Sequence, residues 1–307
     1  MIISQQNHKI TYLYLEPTNK CNLDCTYCNR ADIVKKTKDI SLEDWNMVLD
    51  KFSSQPVNEA KLMGHGEPFL HPDFHQLCRR FKEVFPSAFV ISATNCQYKL
   101  NNNFIEALPY IDLLYLSVDG YKESYEKNRS GAKWSRLIEF LDDLLNIDAG
   151  KTRITINYVV HGGNYKDIEK IHDMVSKKYN YIEEVRLNIA QWWGEDEEIQ
   201  EDYTDDFYRT VIKYKENVKG KTPWTYSDCY WPKTGFYMNV NGDVKICCLN
   251  TSTNPIGNIF ESSLHDILQS PKLQKIAEEC RLDAPGIHCR KCDYKRLSPI
   301  LEYIYNS

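Results

Sequence analysis

The sequence predicts an α/β protein: a parallel sheet flanked by helices, followed by a small cysteine-bearing unit. Three observations carry this. Short β-rich runs alternate with amphipathic helical stretches from residue 10 to about 190. An acidic stretch at 194–206 breaks the alternation. Beyond it lie six of the chain's eleven cysteines, closely spaced.

The first strand is "TYLYLE" (11–16), and a helix over 41–54 follows, with Ser41 placed to cap it. "EAKLMG" (59–64) is the second strand, and Asp73, after Pro72, opens a helix over 73–85. "AFVISA" (88–93), "DLLYLS" (112–117), "ITINYVV" (154–160) and "EEVRLN" (183–188) continue the series, with helices over 102–108, 134–147 and 165–178 between them. Six strands separated by five helices imply βα units with right-handed crossovers. The strand order is not legible at this level. After the acidic stretch, which reads as a solvated surface, a helix is expected over 203–217 and a linker at "GKTPW" (220–224). "FYMNVNGDVKICC" (236–248) reads as a hairpin turning at Asn241-Gly242, and 263–280 as helix with Pro271 starting a second helix or kinking one. The expected domains are 8–200 and 221–307.

Composition narrows the function. Hydrophobic residues make up 42% and charged residues 26%, ordinary for a globular protein. A net charge of -5 gives no electrostatic footprint for nucleic acid. No apolar run is long enough for a membrane span and the N-terminus lacks a signal-peptide pattern, so the expected location is cytoplasmic. Clustered cysteines in a reducing compartment point to metal or iron–sulfur ligation rather than disulfides.

"CNLDCTYC" puts Cys21, Cys25 and Cys28 in the pattern CxxxCxxC just after the first strand. Three thiolates are one fewer than a closed site takes, so a four-iron cluster held there keeps one iron open. By spacing alone a zinc loop is the alternative. "LEPTNKCNLDCTYC" resembles the signature of the radical S-adenosylmethionine (radical SAM) enzymes, including the aromatic Tyr27. "GHGEP" (64–68) resembles their GGEP motif, with His65 in place of a glycine; "TN" (94–95) resembles TNG, with Cys96 in place of the glycine. "LSVDG" (116–120) and "RSG" (129–131) resemble further segments of the family. The resemblance covers residues 10–190 and implies a partial (β/α)6 barrel whose strand C-termini build the site. It implies an open iron that binds SAM, Glu67 holding the SAM amino group, Asn95 in the third-strand turn, Ser117 and Asp119 near the ribose, and Arg129 reaching the carboxylate. Reductive cleavage of SAM to methionine and a 5′-deoxyadenosyl radical follows, with a flavodoxin or ferredoxin as reductant.

Cys229, Gly242 and Cys247 fit C-x12-G-x4-C, and "CRKC" adds Cys289 and Cys292. These four thiolates suit a closed auxiliary 4Fe–4S cluster, with structural zinc as the alternative. The pattern resembles the SPASM and Twitch extensions of radical SAM enzymes. Ser298 stands where a full SPASM domain has a further cysteine, which favours one auxiliary cluster, the Twitch form. The layout is similar to that of aminocyclitol dehydrogenases. Cys280 is an alternative ligand or a buried thiol at a helix end; Cys78 is expected in the core. Cys248 abuts a predicted ligand and is a candidate hydrogen-atom donor or a small buried hydrophobe. Oxidation or epimerisation of a sugar-like or cyclitol carbon ranks first. The chain begins almost at its first strand, so no N-terminal peptide-recognition domain is expected. Radical epimerisation or crosslinking of a ribosomal peptide ranks second. An iron–sulfur binding or electron-transfer protein without radical chemistry is the reading from another class. "QWWGE" (191–195) and "CYWPK" (229–233) are candidates to line the substrate pocket.

Overall fold

The computed structural model describes residues 9–190, 204–214, 228–248, 254–284, 286 and 289. Its sheet begins with six parallel strands in sequence order: β1 (Tyr12–Leu15), β2 (Glu59–Leu62), β3 (Phe89–Thr94), β4 (Leu113–Ser117), β5 (Arg153–Val160) and β6 (Glu184–Ile189). Each matches a strand expected from sequence to within a residue or two.

The helices are α1 (Arg30–Ile33), α2 (Leu42–Phe52), α3 (Phe74–Val84), α4 (Asn102–Ala107), α5 (Glu123–Asn128), α6 (Trp134–Leu144), α7 (Ile168–Lys178) and α8 (Asp205–Tyr214), then α9 (Trp231–Thr234), α10 (Leu264–Leu268) and α11 (Pro271–Arg281). Ser41 caps α2 by accepting from the Asp44 N–H at 3.0 Å. Asp73 occupies the N-cap of α3, but its carboxylate accepts from the Gln76 side chain instead of a backbone N–H. Pro271 starts a new helix, capped by Ser270, so the C-terminal helical stretch is broken rather than kinked. The short α1 and α5 were not legible in the apolar pattern. The proposed linker and the "QWWGE" segment lie outside the described residues, as does most of the acidic stretch.

The C-terminal hairpin extends the barrel sheet. Strand β7 (Gly235–Met238) pairs in parallel with β1, Leu13 opposite Phe236, and β8 (Asp243–Lys245) and β9 (Gly257–Asn258) follow antiparallel. The turn falls at Asn241-Gly242 as expected, with Gly242 at φ 81, where a side chain would be strained.

Alternation along β1 sorts the two faces. Leu13 and Leu15 enter the main core with the helices, which also takes Cys78. Tyr12, with Tyr14 and Tyr237, packs on the opposite face against Trp231, Cys229, Cys247 and Cys248. Ile91, Leu113 and Tyr115, with Met63, Phe89 and Ala93, line that same inner face further along. Among the described residues, no helix is long and apolar enough to cross a membrane.

Candidate functional site

The cysteine loop leaves the C-terminal end of β1 and is tied down on both sides. Asp24 N–H and Thr26 N–H donate to the carbonyls of Ser130 (2.9 Å) and Asn128 (3.0 Å), while Asn22 donates to the Gln97 carbonyl at 2.8 Å. Cys21, Cys25 and Cys28 are half-buried, and Cys25 lies within electrostatic reach of the other two. Burial pushes all three thiols up, Cys25 to about 12. A ligated iron reverses this by holding the thiolate.

Two of the family motifs meet this loop directly. Asn95 lies 2.7 Å from Asn22 Oδ1 and 3.8 Å from Cys21 Sγ through its amide nitrogen. Its backbone N–H donates to Glu67 Oε2 at 2.6 Å. Glu67 is only 3% exposed, and burial raises its carboxyl to about 7 despite the N–H groups of Asn95 and Phe69. Among the described residues no cation pairs with Glu67. A buried carboxylate beside the cysteine loop, in no ion pair among the described residues and with only the charge of Arg129 within electrostatic reach, fits an ammonium ligand, which is the role the GHGEP motif implies.

Asp119, Arg129 and Tyr27 form a buried hub. Arg129 Nε and Nη2 both lie 2.6 Å from Asp119 Oδ2, and the Tyr27 hydroxyl donates to that same oxygen. Asp119 Oδ1 accepts from the Val159 N–H, which ties the ends of β4 and β5 together. Arg129 also reaches to 4.0 Å from Cys25 Sγ. In this arrangement Arg129 neutralises Asp119, and Asp119 holds the cysteine loop through Tyr27. Ser117, at the end of β4, is half-buried and its N–H faces the Cys96 thiol. Cys96 adopts φ 59, the left-handed conformation a glycine would take there, so the turn keeps its shape at a strain of about 1–2 kcal/mol.

Glu16 is the site residue that motif reasoning missed. It is 2% exposed, and its carboxylate accepts from the His65 N–H at 2.6 Å and the Val240 N–H at 2.9 Å. Its own N–H donates to Met238 at 3.0 Å. It therefore joins β1, the GHGEP loop and the C-terminal hairpin. A Cβ at Gly64 would collide with this carboxyl, and one at Gly66 with the carbonyls of Thr18 and Lys20. Both glycines are required by close approach. The signal was present in the sequence as an acid in an otherwise apolar strand end. Burial raises the Glu16 carboxyl to about 7 and holds the His65 imidazole neutral down to about 4.

At the second centre, Cys229, Cys247 and Cys248 are half-buried against Tyr12, Trp231 and Tyr237. Cys289 packs with Ile246, Ile276 and Cys280, and a hydrogen bond with Cys280 together with burial pushes its thiol up. The charges of Cys247 and Cys229 also reach Cys289. Three of the four expected ligands are thus brought together, with Cys280 beside them; Cys292 lies outside the described residues. Among the described residues, no three His, Cys, Asp or Glu side chains converge on a point suited to a single metal ion. All-thiolate donor sets at both centres suit iron–sulfur clusters.

Comparison with known proteins agrees with this chemistry. The Radical SAM superfamily matches residues 15–175 and SPASM, an iron–sulfur cluster-binding domain, matches residues 229–293. The first match spans just over half of the chain, which therefore belongs to the radical SAM superfamily and is a radical SAM enzyme with a SPASM-type C-terminal domain. Its cofactors are S-adenosylmethionine, the 4Fe–4S cluster that binds it, and an auxiliary 4Fe–4S cluster. Similar curated proteins include a probable GTP 3′,8-cyclase of Methanocella arvoryzae (22% identical, 61% of this chain, 60% of the relative). Others are a PqqA peptide cyclase of Bradyrhizobium diazoefficiens (22%, 59% and 46%) and the antilisterial bacteriocin subtilosin biosynthesis protein AlbA of Bacillus subtilis (22%, 90% and 63%). The chain thus spans about half to three fifths of the length of these relatives. Among solved structures, Streptococcus suis SuiB bound to precursor peptide SuiA superposes with a TM-score of 0.67 (18% identical, 89% of this chain, 67% of that one). His-tagged anSMEcpe with bound AdoMet gives 0.68 (17%, 96% and 97%), and BtrN with AdoMet and 2-DOIA gives 0.51 (16%, 89% and 87%). At these identities the likenesses show the fold.

Proposed function

We propose that the chain abstracts a hydrogen atom from a peptide substrate and that the resulting radical is crosslinked or inverted. The observation that carries this is the inner face of the sheet. Tyr14 and Tyr237 lie on it beside Cys248, Met63 and Tyr115 lie further along it, and Lys61 and Arg186 are cations on the same face. An extended face of rings and cations suits several side chains of a peptide at once. The names of relatives point the same way: two act in peptide cyclisation or bacteriocin biosynthesis, and SuiB binds a precursor peptide.

In this reading Cys21, Cys25 and Cys28 hold the SAM-binding cluster and Glu67 binds the SAM ammonium. Asn95 positions Glu67 and Cys21, while Tyr27, Ser117, Asp119 and Arg129 shape the rest of the SAM pocket. With a flavodoxin or ferredoxin as electron source, the bound cluster and SAM supply the 5′-deoxyadenosyl radical. Cys229, Cys247, Cys289 and Cys292 hold one auxiliary cluster, the Twitch-like count. Cys248, held against the inner face by its neighbour, donates a hydrogen atom if the reaction is an inversion.

The sequence ranked oxidation or epimerisation of a sugar-like or cyclitol carbon first. That reading now stands second, supported by the C-x12-G-x4-C layout and the fold likeness to BtrN. The test uses reconstituted full chain with SAM and dithionite, offered short peptides encoded beside its gene, uniformly deuterated. Transfer of deuterium into 5′-deoxyadenosine supports the peptide reading, and transfer only from a deuterated aminocyclitol overturns it. In deuterated water an inverted product gains a deuterium, and Cys248→Ala should abolish the inversion while still making 5′-deoxyadenosine. A crosslinked or oxidised product loses two hydrogens and does not depend on Cys248.

A further inference from the structure

Among the described residues, two polar groups on the inner face lack a hydrogen-bonding or ionic partner, and they sit together beside the second cysteine centre. The Tyr12 hydroxyl is buried without a hydrogen bond. Its ring stands edge-on to Trp231 (centroids 5.1 Å apart) and Tyr230 (5.4 Å), the two residues that follow Cys229. It packs in the same apolar group as Cys229, Cys247 and Cys248. The second group is the Lys61 ammonium, which lies 5.8 Å from the Tyr12 ring and 5.9 Å from the Tyr14 ring. Among the described residues it makes no ion pair, and Cys248 lies within its electrostatic reach. The strands put the two side chains there together, since β1 and β2 pair with Tyr12 opposite Glu59 and Tyr14 opposite Lys61.

A buried hydroxyl with no acceptor forfeits its hydrogen bond, and such groups are rare unless something outside the protein completes them. The Tyr12 oxygen is closed to solvent, so a diffusing substrate does not reach it. A group held by Cys247 and its partner thiolates would sit within the apolar group that contains Tyr12. A thiolate-ligated iron–sulfur cluster carries negative charge and sulfur acceptors, which a phenol O–H and an ammonium both complement. Hydrogen bonds to cluster sulfurs and nearby positive charge raise its reduction potential.

We propose that Tyr12 and Lys61 are positioning residues for the auxiliary cluster, which would present an O–H and a positive charge to a cluster held by Cys247 and raise its midpoint potential. This rests on the assignment of Cys229, Cys247 and Cys289 as cluster ligands. Tyr12→Phe keeps the ring and its contacts and removes a hydroxyl that has no partner among the described residues, so it should not destabilise the fold. Lys61→Met keeps the stem and removes the charge.

The experiment uses the full chain with Cys21, Cys25 and Cys28 changed to alanine, so that only the auxiliary cluster is present. After anaerobic reconstitution, iron is counted and the midpoint potential is read by EPR-monitored redox titration. Both Tyr12→Phe and Lys61→Met should lower the midpoint, each shifting the reduction equilibrium by up to about tenfold, which is about 59 mV for one electron. Lys61→Arg should restore most of the lost potential. Unchanged midpoints in both variants, with about four irons retained, overturn the proposal alone. A triple-alanine chain that holds no iron removes the ligand assignment and the proposal with it.

Discussion

Glu16→Gln tests whether the buried carboxyl that joins the GHGEP loop to the C-terminal hairpin titrates as its surroundings dictate. Burial moves the group from 4.5 to about 7 in the folded chain. The folded protein therefore holds this proton more tightly than the unfolded chain. As pH rises from about 4.5 to about 7 the unfolded state gains a free carboxylate while the folded state must bury one, so stability falls through that window. Between pH 5 and pH 8 the loss from this group is about 2.5 kcal/mol, at about 1.36 kcal/mol for each pH unit that separates the folded and unfolded titrations. Glu67, also raised to about 7, adds in the same direction, and His65, held neutral to about 4, opposes it by gaining stability as pH rises from 4 to 6.5. Both are common to wild type and variant, so the difference between the two isolates Glu16. The variant loses one of two N–H partners at all pH values, a constant offset of about 1–3 kcal/mol. Thermal unfolding followed by circular dichroism under anaerobic conditions should show the gap between wild type and variant changing by about 5 °C from pH 5 to pH 8, at about 2 °C per kcal/mol. Parallel curves would mean that the Glu16 carboxyl titrates alike in the folded and the unfolded chain.

Glu67→Ala should weaken SAM binding by about 1.5–3 kcal/mol, the worth of a charge-assisted hydrogen bond, with both clusters retained; equilibrium dialysis of SAM checks it, and an unchanged affinity means Glu67 does not bind the ammonium. Asp119→Ala leaves the Arg129 guanidinium buried without its partner and should destabilise the fold by about 3–5 kcal/mol, read from thermal unfolding. Cys96→Gly should relieve the left-handed strain at φ 59 and leave 5′-deoxyadenosine formation intact. Loss of that activity would mean the Cys96 thiol does more than fill the turn.

The barrel was legible because each strand carries its own period and each crossover its own amphipathic helix. Ser41 announced its helix for the same local reason. What local pattern cannot carry is pairing at long range. Residues 235–238 read as one arm of a hairpin, yet they also continue the barrel sheet beside β1, more than 200 residues earlier. The cofactor motifs were found because they sit in short contiguous stretches. Glu16 and the Tyr12–Lys61 pair were not, because their meaning lies in what other strands bring to them: Val240 to Glu16, Trp231 and Cys247 to Tyr12. Arg129 shows the limit in another way. Its segment was recognised, but its ion pair with Asp119 depends on how the chain after α5 folds back over the cysteine loop.

The chain is expected to hold two iron–sulfur centres, only one of which cleaves SAM. Anaerobically reconstituted wild type should hold about eight irons and form 5′-deoxyadenosine from SAM and dithionite. The chain with Cys21, Cys25 and Cys28 changed to alanine should hold about four irons and form none. Wild type with both clusters in place and no 5′-deoxyadenosine would contradict the account, and so would one zinc beside about four irons.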